Sequence, residues 1–519
     1  MAFLSLPPEI HARIIFYVPS IRDLAALSQS CRALHSLCDM QTRERFYRIR
    51  VYPNDTSINE TFGLLMEILK QRRLGYYVRE IEQYWRPSSE LSYIEKEEQR
   101  DLSTNEKNLI RVAVQRAGFV GPQESAIINM LMQNTTQGAH SIKSYSRSGI
   151  GPGRVLGTFI AQALAAIIIS VSPSLEALAI AQPFESYYRF YLDAEKWPRD
   201  SHVDYALDRL LRRANADPAN TPFLQNLRKV YMIVDEVKPV DDGRFYTYID
   251  FTDCMTLFDH LPSIESIGAD ALGEDENDNS RLVQGSSNIS KIYLNHCALG
   301  TPYLAYVIQS SKALREFQYT IGGRGVLGGS SSLFNVKTFI KSICPHKDTL
   351  EVLDIDAESR MFYLDAFHEE EGLVDQVIDE VTDFYRDEED EKQEFLQSFW
   401  GNSGSLKCFR ALKRLGLGIG FLLYFAKGVG ETDEKREPVM LPDGLPKSLE
   451  YLCIRGYERG ECEKWDAQID ALVAFYKSGL SKLKEIRGIE TTIPNARDVK
   501  RPDDNEDSLW TLKHAGYAL

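Results

Sequence analysis

One short pattern recurs along the chain: an apolar residue, two others, a second apolar residue, one other, a third. It stands at Leu175-Leu178-Ile180, Leu227-Val230-Met232, Ile264-Ile267-Ala269, Ile289-Ile292-Leu294 and Leu314-Phe317-Tyr319. It continues at Leu350-Leu353-Ile355, Leu412-Leu415-Leu417 and Leu449-Leu452-Ile454, and more weakly at Leu483-Ile486-Gly488. The last two positions of each copy have the period of a strand with one buried face. The copies that start at 264, 289 and 314 are 25 residues apart, and the other intervals are longer. Between them, helical spacing predicts helices over Asp204 to Arg213, Pro302 to Leu314, Leu333 to Ile343 and Asp466 to Leu480. A strand followed by a returning helix, repeated, buries its apolar face only against its neighbours.

The first fifty residues have another rhythm. Leu6-Pro7-Pro8-Glu9-Ile10 opens a helix, because proline suits a first turn and an acid suits the positive end of the helix dipole. Ile10, Ile14, Ile15 and Val18 mark its apolar face, and Pro19 and Ser20 end it. A second helix starts near Asp23 and carries Leu24, Leu27, Cys31 and Leu34; a third runs from about Asp39 to Arg50 with Phe46, Tyr47 and Ile49. So small a core needs a docked neighbour. In order, spacing and residue type, Leu6, Pro7, Glu9, Ile10, then Ile14, Ile15 and Val18, then Asp23, Leu24 and Leu27, then Cys31 and Arg32 resemble an F-box. Many members of that family carry a tryptophan in the third helix, where this chain has Phe46 and Tyr47. The resemblance implies docking to the Skp adaptor of SCF-type ubiquitin ligases, and through it to a cullin. Leu6, Pro7, Ile10, Ile14, Leu24 and Leu27 would supply the apolar surface.

The 25-residue interval falls in the range of leucine-rich repeats. The expected fold class is α/β: a small N-terminal three-helix F-box followed by an irregular leucine-rich-repeat-like solenoid of strand–helix units. A generic α/β or helical array is the alternative. Residues 74–81, 289–319, 346–354 and 445–452 are similar to segments of F-box proteins abundant in filamentous fungi. The expected domains are the F-box at 1–50, a linking helical region with a charged insertion at 51–154, the array at 155–495 with an acidic insertion near 369–394, and a tail at 496–519. In such strands the pattern positions point inward and their neighbours line a concave face. That face would include Tyr293, Asn295, Gln318, Thr320, Asp354, Asp356, Tyr451, Arg455 and Arg487, with tyrosine and arginine as anchors for a protein partner.

Charge and chemistry narrow the function. The 519 residues carry a net charge of -15, which repels phosphate backbones and argues against nucleic acid as the main partner. Val155 to Val171 is the most apolar stretch, but Gly157, Thr158, Gln162 and Ser170 interrupt it, so it reads as a buried helix and no membrane span is expected. The start has no cationic and apolar leader pattern, and the 8 cysteines form no Cys-x-x-Cys pair. Both suit a reducing, intracellular setting, cytoplasm or nucleus. No zinc spacing is present, so no metal or cofactor is expected. Gly323-Arg324-Gly325-Val326-Leu327-Gly328 spells a dinucleotide fingerprint, but Gly329 and Ser330 to Ser332 hold the following helix away from where a pyrophosphate would sit. The expectation is a non-catalytic receptor that binds a target protein of unknown identity, with nothing to indicate a homo-oligomer. The alternative is an interaction scaffold that does not send its partners to degradation.

Overall fold

A computed structural model of the chain describes residues 6–18, 21–85, 99–135, 152–184, 205–234, 245–273, 282–325, 334–361, 401–430, 439–479 and 481–497. The acidic insertion near 369–394, almost all of the tail at 496–519, parts of the charged insertion before residue 154, and the end of the glycine motif at 326–328 lie outside them.

The helices, in chain order, are α1 (Pro8–Phe16), α2 (Ile21–Ser30), α3 (Arg32–Cys38), α4 (Met40–Tyr47), α5 (Asp55–Lys70), α6 (Thr104–Arg116), α7 (Pro122–Met132) and α8 (Pro152–Ser170). They continue as α9 (Ala206–Ala216), α10 (Phe251–Met255), α11 (Thr301–Ser310), α12 (Val336–Ile343), α13 (Ile419–Lys427), α14 (Leu441–Gly444) and α15 (Glu463–Lys477). The strands are β1 (Arg48–Val51), β2 (Glu80–Gln83), β3 (Ala177–Ala181), β4 (Lys229–Ile233), β5 (Thr247–Tyr248), β6 (Ser266–Asp270) and β7 (Leu272–Gly273). Then come β8 (Lys291–Asn295), β9 (Glu316–Thr320), β10 (Val352–Asp356), β11 (Arg414–Gly418), β12 (Tyr451–Arg455) and β13 (Glu485–Arg487).

Eleven strands make one sheet in the order β1-β2-β3-β4-β6-β8-β9-β10-β11-β12-β13, every pair parallel. The strands therefore follow one another in space as they do in sequence, apart from the two-residue pair β5–β7. All nine copies of the apolar pattern become strands. Their second positions fall in one register row: Leu178, Val230, Ile267, Ile292, Phe317, Leu353, Leu415, Leu452 and Ile486. That row and residues of α5, α8, α9, α11, α12, α13 and α15 share one apolar core. The expected buried helix is α8, with Phe159 to Ile169 inside. No helix of the described residues is long and apolar enough to cross a membrane.

The N-terminal unit differs from the expectation in two places. Cys31 is extended (φ -162°, ψ 163°), so the second helix divides into α2 and α3, and the unit has four helices in place of three. The third expected helix stops at Tyr47, because Arg48 to Val51 leave it to pair with β2 at the edge of the sheet. β1 and β2 escape the pattern search because Ile49 and Ile81 each stand between charged residues. Those charges pair with one another: Glu82, 1% exposed, receives Arg48, Arg50 (2.9 Å) and the Tyr84 hydroxyl (3.0 Å).

The residue before each strand of the eleven-stranded sheet forms a second repeat. From β2 to β13 these are Arg79, Glu176, Arg228, Glu265, Ser290, Arg315, Glu351, Lys413, Glu450 and Lys484, alternating in sign except at Ser290. Neighbours pair as Arg79–Glu176, Arg228–Glu265, Arg315–Glu351–Lys413 and Glu450–Lys484. Each carbonyl also accepts two consecutive N–H groups from the next strand, as Glu351 does from Lys413 (2.9 Å) and Arg414 (3.1 Å).

Candidate functional site

Two surfaces gather the residues that the sequence singles out. The first is the outer side of α1. The Pro7 carbonyl accepts the N–H groups of Ile10 (3.0 Å) and His11 (3.1 Å), and Pro8 occupies the first helical position, where a missing N–H costs nothing. The three-to-four spacing then turns Ile10 (42% exposed), Ile14 (39%) and Tyr17 (69%) outward. Ile15 turns inward and packs with Leu24, Leu34 and Cys38. Leu6 is half-buried and Pro7 exposed, while Leu27 is half-buried against the inner cluster. Leu24 is a correction: at 3% exposure it holds the helices together and offers no surface. Tyr17, which the spacing argument does not single out, stands outside in its place.

The second surface is the face of the sheet turned from the core. Its middle row runs Ala179, Tyr231, Gly268, Tyr293, Gln318, Asp354, Gly416, Cys453 and Arg487. It is not open along its whole length. Every residue of β3 and β6 is buried, whereas β8, β9, β10 and β12 keep half-exposed positions. Tyr293, Asn295, Gln318, Asp354, Tyr451, Arg455 and Arg487 all fall on the part from β8 to β13.

These residues are not equivalent. The Tyr293 hydroxyl donates to Glu316 Oε2 (2.8 Å), and Glu316 Oε1 meets Lys291 Nζ (2.8 Å). Burial, then Glu316, pushes the Tyr293 phenol far up, so it stays a neutral donor. Tyr451 lies under two guanidinium groups, Arg414 at 4.7 Å and Arg487 at 5.6 Å from its ring centre. Arg487 also meets Glu485 (2.6 Å). Asn295, Gln318 and Thr320 are half-buried; Thr320 accepts the His296 N–H (2.9 Å). Arg455 is already committed: it crosses β11 to reach Asp354 (2.7 Å) and Asp356 (3.2 Å). Gly416 makes the crossing possible, since a Cβ there would sit 2.5 Å from Asp354 Oδ1. Burial alone would lower the Arg455 pKa; the two aspartates outweigh it and raise it. Asp354, Asp356 and Arg455 thus tie strands together, while Tyr293, Asn295, Gln318 and Tyr451 stay half-exposed and Arg487 exposed on this face.

Sequence reasoning misses Glu358, 1% exposed just past β10. Its carboxylate accepts the N–H groups of Gly420 (2.9 Å) and Phe421 (3.4 Å) in the first turn of α13. The available signal is the spacing of Gly418 and Gly420, whose missing side chains leave its space. Among the described residues no group of three or more His, Cys, Asp or Glu is arranged to hold a metal ion.

A family model described as F-box-like matches residues 3–48, the stretch that contains α1 to α4. The chain carries an F-box-like domain. Among curated proteins, none matches the sequence. F-box domains generally bind Skp-type adaptors, which points to a role as adaptor or substrate receptor in ubiquitin ligase complexes. This F-box-like domain is built into the sheet. Phe46, where tryptophan is common, is fully buried in the large core. Arg45 grips Glu67 of α5 with two bonds (2.8 and 2.6 Å). Arg43 bonds the Cys38 carbonyl (2.8 Å) and stacks 4.3 Å from the centre of Tyr77. The Tyr47 carbonyl accepts the Arg79 N–H (2.9 Å) just before β2. The F-box-like domain is thereby fixed to the first strands of the sheet.

Proposed function

We propose that the protein is a substrate receptor of an SCF-type ubiquitin ligase. The F-box-like domain docks the Skp adaptor and through it a cullin, and the open sheet face from β8 to β13 holds a target protein. On this reading the sheet and its returning helices are an irregular leucine-rich-repeat-like solenoid of the kind found in fungal F-box proteins. The protein is intracellular, needs no cofactor and performs no chemistry of its own. It raises the effective concentration of a target beside a charged ubiquitin carrier.

The observation that carries this is the row Ile10, Ile14 and Tyr17 on α1, apolar surface left outside by an F-box-like domain whose inner face is already filled. Covering the exposed part of each isoleucine is worth roughly 1 kcal/mol. The test is a pull-down of the full chain with purified Skp adaptor, beside the variant Ile10→Ala/Ile14→Ala. Both side chains are outside the helical cluster, so the variant keeps its fold. Binding by the parent, reduced about tenfold or more in the variant, is expected. A folded parent that does not bind the adaptor removes the receptor reading. Loss of target turnover in the same Ile10→Ala/Ile14→Ala variant, with target binding kept, separates a receptor from a scaffold.

A further inference from the structure

None of the 8 cysteines stands in a disulfide, and Cys408 alone among them is exposed. It is therefore the thiol that a dissolved oxidant meets first. Cys408 ends the turn Leu406–Cys408 that leads into β11, and the buried Cys344 opens the turn Cys344–His346 that leads into β10. The two turns lie side by side. On one side of the pair the Asn402 amide donates to the Lys341 carbonyl (3.1 Å), and on the other the Arg410 N–H donates to the Lys347 carbonyl (2.9 Å).

Between these two bonds Gly404 leaves a gap. A Cβ there would lie 3.0 Å from Cys344 Sγ and 4.0 Å from Cys408 Sγ, and within 4 Å of no other described atom beyond its chain neighbours. Gly404 is held in place by Val429, whose carbonyl accepts its N–H (2.9 Å) and whose N–H donates to its carbonyl (2.8 Å). Its φ is not positive, so the backbone does not require a glycine at this position. What the missing side chain provides is open space bordered by two sulfurs.

We infer that Cys344 and Cys408 form a reversible disulfide when the protein meets a peroxide, an inference that stands apart from the receptor reading. The Cys408 sulfur attacks one peroxide oxygen and the O–O bond breaks. Cys408 becomes a sulfenic acid, and the leaving oxygen takes the thiol proton and departs as water. The Cys344 sulfur then attacks the Cys408 sulfur, the S–O bond breaks, and a second water leaves with the Cys344 proton. Two thiols have lost two electrons and the peroxide has gained them. A dithiol reductant reverses the change, so the bond is a response to oxidant and not a permanent staple. It closes residues 344 to 408 into one loop around β10 and joins the approaches to two neighbouring strands of the open face.

The test is treatment of the full chain with hydrogen peroxide, alkylation of the remaining thiols after unfolding, and mass spectrometry of the peptides. In the parent both thiols are expected to disappear together into one cross-linked peptide pair that dithiothreitol restores. Gly404→Ala places a methyl group in the gap and should slow the bond about tenfold or more. Cys344→Ser removes the second sulfur, so Cys408 should run on to sulfinic acid. Hydrogen exchange in β10 and β11 should be slower in the oxidised parent than in the reduced one. A parent in which Cys408 reaches sulfinic acid while Cys344 is still alkylated overturns the pair, as do bonding of Cys408 to another cysteine and inertness of both thiols. Equal rates in Gly404→Ala and the parent overturn the role of the gap. Unchanged exchange on oxidation overturns the stiffening of the face.

Discussion

Glu358 and Arg455 show what single side chains do on the rim of this sheet. Burial pushes the Glu358 carboxyl up to about 7, and its two backbone hydrogen bonds only partly offset this. A folded-state value above the usual 4.5 means that the folded chain binds the proton more tightly than the unfolded one. This contribution is complete below pH 4.5 and is lost as pH rises through about 7, amounting to ~3 kcal/mol. Glu358→Gln keeps an acceptor for the Gly420 N–H and removes the titration. Its urea midpoint should therefore be the flatter of the two from pH 5 to 8, and higher than the parent's at pH 8; parallel curves would show that this carboxyl does not titrate in the fold. Arg455→Ala leaves Asp356 buried without its cation, at an expected cost of about 3–5 kcal/mol. Adding Asp354→Asn and Asp356→Asn should recover most of that in the same urea titration, because the charges needing a partner are then gone. If the triple variant is no more stable than Arg455→Ala, the bridge is incidental.

At the scale of elements, the ladder before the strands predicts salt-sensitive stability. Glu351 lies between Arg315 (2.5 Å) and Lys413 (2.7 Å), and those two hydrogen bonds hold its carboxyl below the usual range. Glu351→Lys sets three cations side by side. A loss of about 1 kcal/mol at low salt is expected, shrinking as added salt shortens the screening length; a loss of the same size at high salt would mean packing, not charge. The ladder was present in the sequence, yet only the strand positions align it, since the strands are irregularly spaced. The strands themselves were legible, because Leu353, Leu415 and Leu452 with their partners two residues on have the period of a half-buried strand. β1 and β2 were not, because Arg48, Arg50, Glu80 and Glu82 break the apolar pattern and are compensated only across the strand pair. On the sheet face, alternation separated inside from outside at β8 and β9 but not at β3 and β6, where both faces are buried and the alternation carries no information. Nor does alternation reveal that Arg455 spends its charge on Asp354, 101 residues earlier.

Across the whole molecule, the sheet begins against the F-box-like domain and needs an ending at the other side. After β13 the chain turns at Gly488 (φ 86°) and runs back over the C-terminal ends of the strands. Gly456 N–H bonds the Ile493 carbonyl (2.7 Å), Ala496 N–H bonds Asp356 Oδ1 (2.9 Å), the Ser359 hydroxyl bonds the Ala496 carbonyl (2.6 Å), and Gly323 N–H bonds the Arg497 carbonyl (3.2 Å). Space is made for this strap by Gly322 and Gly456, where a Cβ would strike Arg497 and Asn495. An array whose units contact only their neighbours frays from its ends unless the last unit is capped. Here the strap ties β12, β10 and the loop after β9 together across three strand positions. Ending the chain after Gly488 removes all four bonds, while ending it after Arg497 keeps them. Hydrogen exchange should then show β10 to β13 opening faster in the shorter variant, with β1 to β4 unchanged. Faster exchange throughout would mean that the sheet opens as one unit and that the strap guards no particular end; unchanged exchange would show that the strap lies on the rim without holding it.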